Sequence, residues 1–156
     1  MRRKDREITE RAELLAIVEA CSVCRVALAD EEGLYIVPLN FGYLAEGDEL
    51  RLYFHSAKEG RKVRAFGQGA AVAFEMDGEF TLVPGKTACE YGGRFCSIVG
   101  SGWIAPVEAV EAKQQALARL MQHMTGEAWT ITPEQAQMVQ VYELTVTKMS
   151  GKARRD

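Results

Sequence analysis

Apolar residues recur along the chain in two periods. Leu14, Leu15, Val18 and Cys21 fall on one helical face, and Thr9 stands at a capping position, so a helix is predicted over 9–21. The pattern then changes to strand character over 23–29 and 34–44, with Asp30-Glu31-Glu32-Gly33 as the turn between them and Pro38 interrupting the second strand. A third strand follows over 50–55. Its alternation sets Leu50, Leu52 and Phe54 on one face and His55 on the other. A short helix is predicted over 58–66, stopped near Gly67 and Gly69. Residues 70–76 and 79–84 read as a hairpin across Asp77-Gly78. A long strand over 94–107 is kinked by Gly100 and Gly102, and an amphipathic helix covers 109–124. Thr132-Pro133-Glu134-Gln135 carries a capping box with proline at the first helical position, and 139–147 closes as a strand.

Six or seven strands joined mostly by hairpins do not make a doubly wound parallel sheet. The expected class is mainly β (α+β), a small antiparallel barrel with peripheral helices. The 156 residues read as one domain with polar, basic ends at about 1–8 and 150–156. Apolar residues are 47% and charged residues 26% of the chain, which is globular composition. A net charge of −3 argues against a nucleic-acid binder held by overall charge. No apolar run reaches the about 18 residues of a membrane span. The charged start, MRRKDREITERAE, is unlike a secretory signal, so a cytoplasmic protein is expected.

Reduced thiols are therefore expected at Cys21, Cys24, Cys89 and Cys96. The Cys21-x-x-Cys24 pair lies at the end of a helix, where the dipole does not favour a thiolate, and Cys89 and Cys96 are too far apart in sequence for a zinc knuckle. Buried structural thiols and no metal site are the expectation. Gly85-Lys86-Thr87 lacks the glycine that a P-loop requires, since Phe80 holds that position. Gly100-x-Gly102-x-x-Ala105 precedes Pro106 and a strand rather than a helix. His123, late on its helix, is expected to be solvated or to cap it.

Chemistry concentrates in Tyr53-Phe54-His55-Ser56-Ala57-Lys58-Glu59-Gly60-Arg61-Lys62. Lys58, Arg61 and Lys62 crowd the start of the predicted helix, which is unfavourable unless an anion lies between them. A strand end, a hydroxyl and three cations make a candidate phosphate cradle, the plainer reading being a solvated basic turn neutralised by Glu59. Upstream, Ile36-Val37-Pro38-Leu39-Asn40-Phe41-Gly42-Tyr43 places a proline at an edge or bulge. It leaves main-chain groups and Asn40 free to meet a flat polar ring.

These segments, in this order, resemble the FMN-binding split-barrel superfamily of pyridoxamine 5'-phosphate oxidase, and within it the nitroimidazole-resistance branch. The early Cys-Ser-Val-Cys-Arg-Val-Ala-Leu strand, VPLNFGY, LYFHSAKEGRK, the Tyr91 to Gly102 strand and the helix ending Leu-Met-Gln-His-Met-Thr-Gly carry the resemblance. It implies a split β-barrel and a homodimer with FMN at the subunit interface. It implies that Pro38, Leu39 and Asn40 line the flavin ring and that His55 lies against the flavin or its ribityl chain. Ser56, Ala57, Lys58 and Lys62 would hold the phosphate, with Ser97 and Val99 supplied by the partner subunit. The tail GKARRD departs from the ending of the vitamin oxidases proper, which points to a more general reductase. The expected function is an FMN-dependent oxidoreductase acting on an electron-poor small molecule, with His55 as the candidate catalytic group. The alternative is a non-catalytic flavin- or haem-binding protein of the same fold.

Overall fold

The computed structural model describes residues 4–78 and 80–155 of the chain. Nine strands form an antiparallel sheet in the order β3-β2-β6-β8-β9-β5-β4, with β1 added to β9 and β7 to β8. In chain order these are β1 (Glu7–Ile8), β2 (Cys24–Asp30), β3 (Gly33–Leu39), β4 (Gly42–Glu46), β5 (Glu49–Ser56), β6 (Ala70–Asp77), β7 (Thr81–Val83), β8 (Gly92–Pro106) and β9 (Gln140–Arg154). The α-helices are α1 (Arg11–Ala20), α2 (Arg61–Phe66), α3 (Val110–Thr125) and α4 (Pro133–Gln137). This is the antiparallel barrel class that the hairpin pattern predicted, in the split form that the resemblance implied. The strand number rises from seven to nine because β3 and β4 separate at Asn40-Phe41 and because the two-residue β1 joins β9.

The alternation in each strand decides what is inside. Val26 and Leu28, Leu50, Leu52 and Phe54, Val72, Phe74 and Met76, and Ile98 and Ile104 all point into one core. Leu14, Ile17 and Val18 of α1 and Phe66 of α2 close that core. A second, smaller cluster of Tyr53, Ala116 and Val141 lies on the opposite face of the sheet, where α3 covers β5 and β9. The approach of α3 to β4 is close enough to require Gly42, because a Cβ there would lie 2.3 Å from the Leu120 nitrogen.

Several local expectations are corrected. Glu10, not Thr9, precedes the first turn of α1, and no side chain caps it. Asp77-Gly78 does not turn a β6–β7 hairpin. The Gly78 N–H donates to the Cys96 carbonyl at 2.9 Å, and β7 pairs instead with the start of β8. The dipeptide signal is local, whereas β8 offers β6 an eight-residue ladder from Ala70↔Ile104 to Asp77↔Ser97. The last strand does not stop at 147, and the described residues of the two polar ends meet in the sheet. β9 runs to Arg154, paired with Phe95, and Glu7 and Ile8 pair with Lys152 and Gly151. Its inward residues there are small. Gly151 is buried because Leu14 and Ile8 pack on it, and a Cβ would lie 2.3 Å from a Leu14 methyl. The expected kink in β8 is a register shift between Ser101 and Gly102. The capping box at Thr132 and Gln135 forms as read.

Candidate functional site

The chemistry-bearing segments meet where β3 passes into β4 and β5 passes into α2. In the β4–β5 ladder Gly42 lies opposite Tyr53, so Asn40, two residues before Gly42, and His55, two residues after Tyr53, both lie beyond the same end of that ladder. Pro38 sits in β3 opposite Arg25 and is exposed, as an edge strand permits. Leu39 points into the core, so only its main chain faces outward. Asn40 is exposed, and its side-chain amide donates to the Ser22 carbonyl at 2.9 Å.

On β5 the alternation carries one residue further than the sequence pattern used. Ser56 continues the inward series of Leu50, Leu52 and Phe54, is buried, and donates its hydroxyl to the Ala57 carbonyl at 2.7 Å. His55 points outward and is exposed, as are Ala57 and Lys58. The His55 imidazole is held below its ordinary pKa, first by partial loss of water and then by the charge of Lys62. Partial burial likewise lowers the half-buried Lys62 ammonium. The short helix α2 begins only at Arg61, with Gly60 preceding it.

The four cations of this segment divide into two pairs. Arg61 grips Asp30 with both arms of its fork, Nε to Oδ2 at 2.8 Å and Nη2 to Oδ1 at 2.9 Å, and Arg64 reaches Glu32 at 3.2 Å. Among the described residues no carboxylate lies within ion-pair distance of Lys58 or Lys62. Arg61, read from the sequence as a third arm of the cradle, is thus already neutralised. The Asp30 and Glu32 partners lie some thirty residues upstream, and nothing local in the sequence signals the pairing. Lys58 and Lys62 are left as uncompensated positive charge beside His55, which suits an anion.

Ser97 and Val99 lie on β8, opposite Asp77 and Glu75 of β6. β2 and β6 separate β8 from β3, so along the sheet these residues stand about 14 Å from Pro38, three strand spacings away. The structure therefore does not bring Ser97 and Val99 to Asn40 and His55 of the same chain. Instead they belong to an outer sheet face that no helix covers. Leu34, Ile36, Val99 and Trp103 are exposed on it by 91%, 62%, 54% and 52%, with Ala27, Ala29, Ala71 and Ala73 between them.

The remaining candidates have structural partners. Cys21 and Cys24 are buried free thiols. Burial first, with nearby Cys96 and acidic side chains adding to it, pushes the Cys21 thiol up to about 11. His123 is neither solvated nor a cap. Its side chain is 4% exposed, its Nε2 lies 2.8 Å from the Cys21 carbonyl, and its ring packs on Phe41 and Tyr43. None of the described helices is long and apolar enough to cross a membrane.

A single antiparallel sheet of nine strands with a proline-bearing edge and peripheral helices defines a split-barrel protein. The chain belongs to the pyridoxamine 5'-phosphate oxidase family, whose profile matches residues 10–153. Among solved structures it resembles a Bacteroides thetaiotaomicron protein assigned to 5-nitroimidazole antibiotic resistance. Identity is 30% and the TM-score 0.80, over 94% of this chain and 86% of that one. It also shares its fold with an FAD- and heme-binding protein from Mycobacterium smegmatis, at 20% identity, a TM-score of 0.80 and coverage of 97% and 74%. The flavocytochrome Anf3 from Azotobacter vinelandii is similar at 18% identity and the same TM-score, covering 100% and 72%. No protein of curated function matches the chain in sequence.

Proposed function

We propose that this protein is an FMN-dependent oxidoreductase that reduces an electron-poor small molecule, working as a homodimer with a flavin at each side of the subunit interface. The observation that carries the reading is that Lys58 and Lys62, near His55, have no carboxylate partner among the described residues, whereas neighbouring Arg61 and Arg64 are paired. A half-buried lysine with no counter-ion is costly unless a ligand brings one, and a phosphomonoester supplies that charge. In this reading Lys58, Lys62 and the Ala57 main chain hold the phosphate. Ser56, whose hydroxyl is used internally, acts through its backbone. Pro38, the Leu39 main chain and Asn40 orient the ring.

Bound FMN would supply the electron chemistry between a reduced donor and the acceptor. The chain's part is to bind, orient and exclude water. His55 is placed to hydrogen-bond the ribityl chain or a bound substrate and to hold a proton at an imidazole nitrogen. The resemblance to a nitroimidazole-resistance protein supports a nitro compound as the acceptor class.

The exposed apolar face of β3, β2, β6 and β8 supports the dimer. A monomer gains nothing by leaving Leu34 and Ile36 in water, and Ser97 and Val99 on that face reach a flavin only if it is held by another chain. The absorbance spectrum of the purified protein, titrated with FMN, FAD and riboflavin, tests the cofactor. A saturable flavin spectrum that bleaches with NADH or NADPH and recovers with a nitroimidazole is the expected result. Absence of binding by any flavin would overturn the reading.

A further inference from the structure

Arg61 and Lys62 are adjacent at the start of α2 but meet different environments. The Arg61 guanidinium lies 4.5 Å over the Tyr35 ring and forks onto Asp30, whose carboxylate also accepts the Glu32 N–H at 2.9 Å. The Asp30 side chain is only 12% exposed. Glu32 adds a longer contact to Arg61 at 3.9 Å and pairs with Arg64 at 3.2 Å. The β2–β3 turn and the first turn of α2 are thus tied by one planar, two-point grip, supported by a second ion pair. Consecutive helical residues point about 100° apart, so fixing Arg61 fixes the direction of Lys62. Lys62 is consequently turned toward His55 and not toward the acidic turn.

We propose that Asp30 and Arg61 form a clasp that orients the Lys58–Lys62 turn for phosphate, Asp30 being a positioning residue and Arg61 a strut rather than a phosphate ligand. This rests on the FMN reading. Simple electrostatics and the clasp make opposite claims about Asp30. Removing a carboxylate close to an anion site strengthens anion binding by Coulomb's law alone. Removing the partner that holds the lysine turn weakens it, because the turn must then be ordered by the ligand. The fork matters as well, since lysine keeps the charge of Arg61 but cannot grip at two points.

The experiment compares FMN and riboflavin affinities of the full-length wild type, Asp30→Asn, Arg61→Lys and the Asp30→Asn/Arg61→Lys double variant, at fixed salt. Asp30→Asn is expected to weaken FMN binding by about tenfold while leaving riboflavin within about twofold. Arg61→Lys should lose FMN affinity to a similar degree, and the double variant no more than either single, because both break one contact. Circular dichroism and melting curves check folding, and retained riboflavin binding shows that the ring site is intact. Unchanged or tighter FMN binding in Asp30→Asn overturns the proposal. So does Arg61→Lys with wild-type FMN affinity. Equal loss of FMN and riboflavin assigns the pair to general stability and also overturns it. A wild type that binds FMN no better than riboflavin overturns the phosphate reading itself, and the clasp with it.

Discussion

Partial loss of water and then the charge of Lys62 lower the His55 pKa, and its titration follows from that. The lowered His55 pKa means that the folded chain binds this proton less readily than the unfolded chain does. Stability is therefore unaffected above the ordinary imidazole range near pH 6.5 and falls as the pH drops through it. Phosphate bound at Lys58 and Lys62 reverses the sign of the nearby field, so FMN should raise the His55 pKa. NMR titration of the imidazole with and without FMN checks this, and a downward or absent shift would separate His55 from the anion. The Lys62 ammonium should contribute a charge-assisted contact of roughly 1.5–3 kcal/mol, so Lys62→Ala should weaken FMN binding about ten- to a hundredfold, measured by fluorescence quenching. His55→Gln should hold FMN within a few fold while changing the rate of flavin reduction or its pH profile. Wild-type rates from pH 5.5 to 8.5 would leave His55 no role in the chemistry.

At the scale of elements, two close approaches hold the site's supports in place. Gly42 begins β4 just after the Asn40 turn and lies against the α3 backbone at Arg119 and Leu120. Gly42→Ala forces the helix off the sheet and should cost about 1–3 kcal/mol, read from denaturant unfolding. The same shift moves the Asn40–Phe41 link, so FMN affinity should fall with stability. A variant as stable as the wild type would show that α3 is not packed this tightly. The α2 segment depends on its neighbours in the opposite sense. It is only six residues long, too short to hold itself, and the Asp30 turn on one side and Phe66 in the core on the other fix it.

For the whole molecule, one sheet carries two unlike outer faces. α3 covers the β5 and β9 end, whereas the β3-β2-β6-β8 end is bare, apolar at Leu34, Ile36, Val99 and Trp103, and charged where Arg25 meets Glu75 and Asp77. Ile36→Glu places a charge on the bare face without touching the core. It should leave the single chain folded, shift the protein to monomer in light scattering, and reduce FMN binding because assembly and cofactor support each other by mass action. A charged variant that remains dimeric and flavin-loaded would contradict a shared site on this face.

The hairpin-joined strand pattern was enough to predict the antiparallel class, and alternation along β5 the outward direction of His55. Each depends on a period or a residue type that acts within a few positions. The extension of β9 through GKAR was not legible, because Gly151 and Ala153 are too small to register as a hydrophobic stripe, and Gly151 is packed against by Ile8 and Leu14 from the other end of the chain. The Asp77-Gly78 signal misled because turn preference is worth less than a full ladder with β8. Most consequentially, the sequence shows Lys58, Arg61, Lys62 and Arg64 as equivalent cations. Only the tertiary structure, by bringing Asp30 and Glu32 against α2, decides that Arg61 and Arg64 are neutralised while Lys58 and Lys62 find no such partner among the described residues, because pairing depends on distances through space and not along the chain.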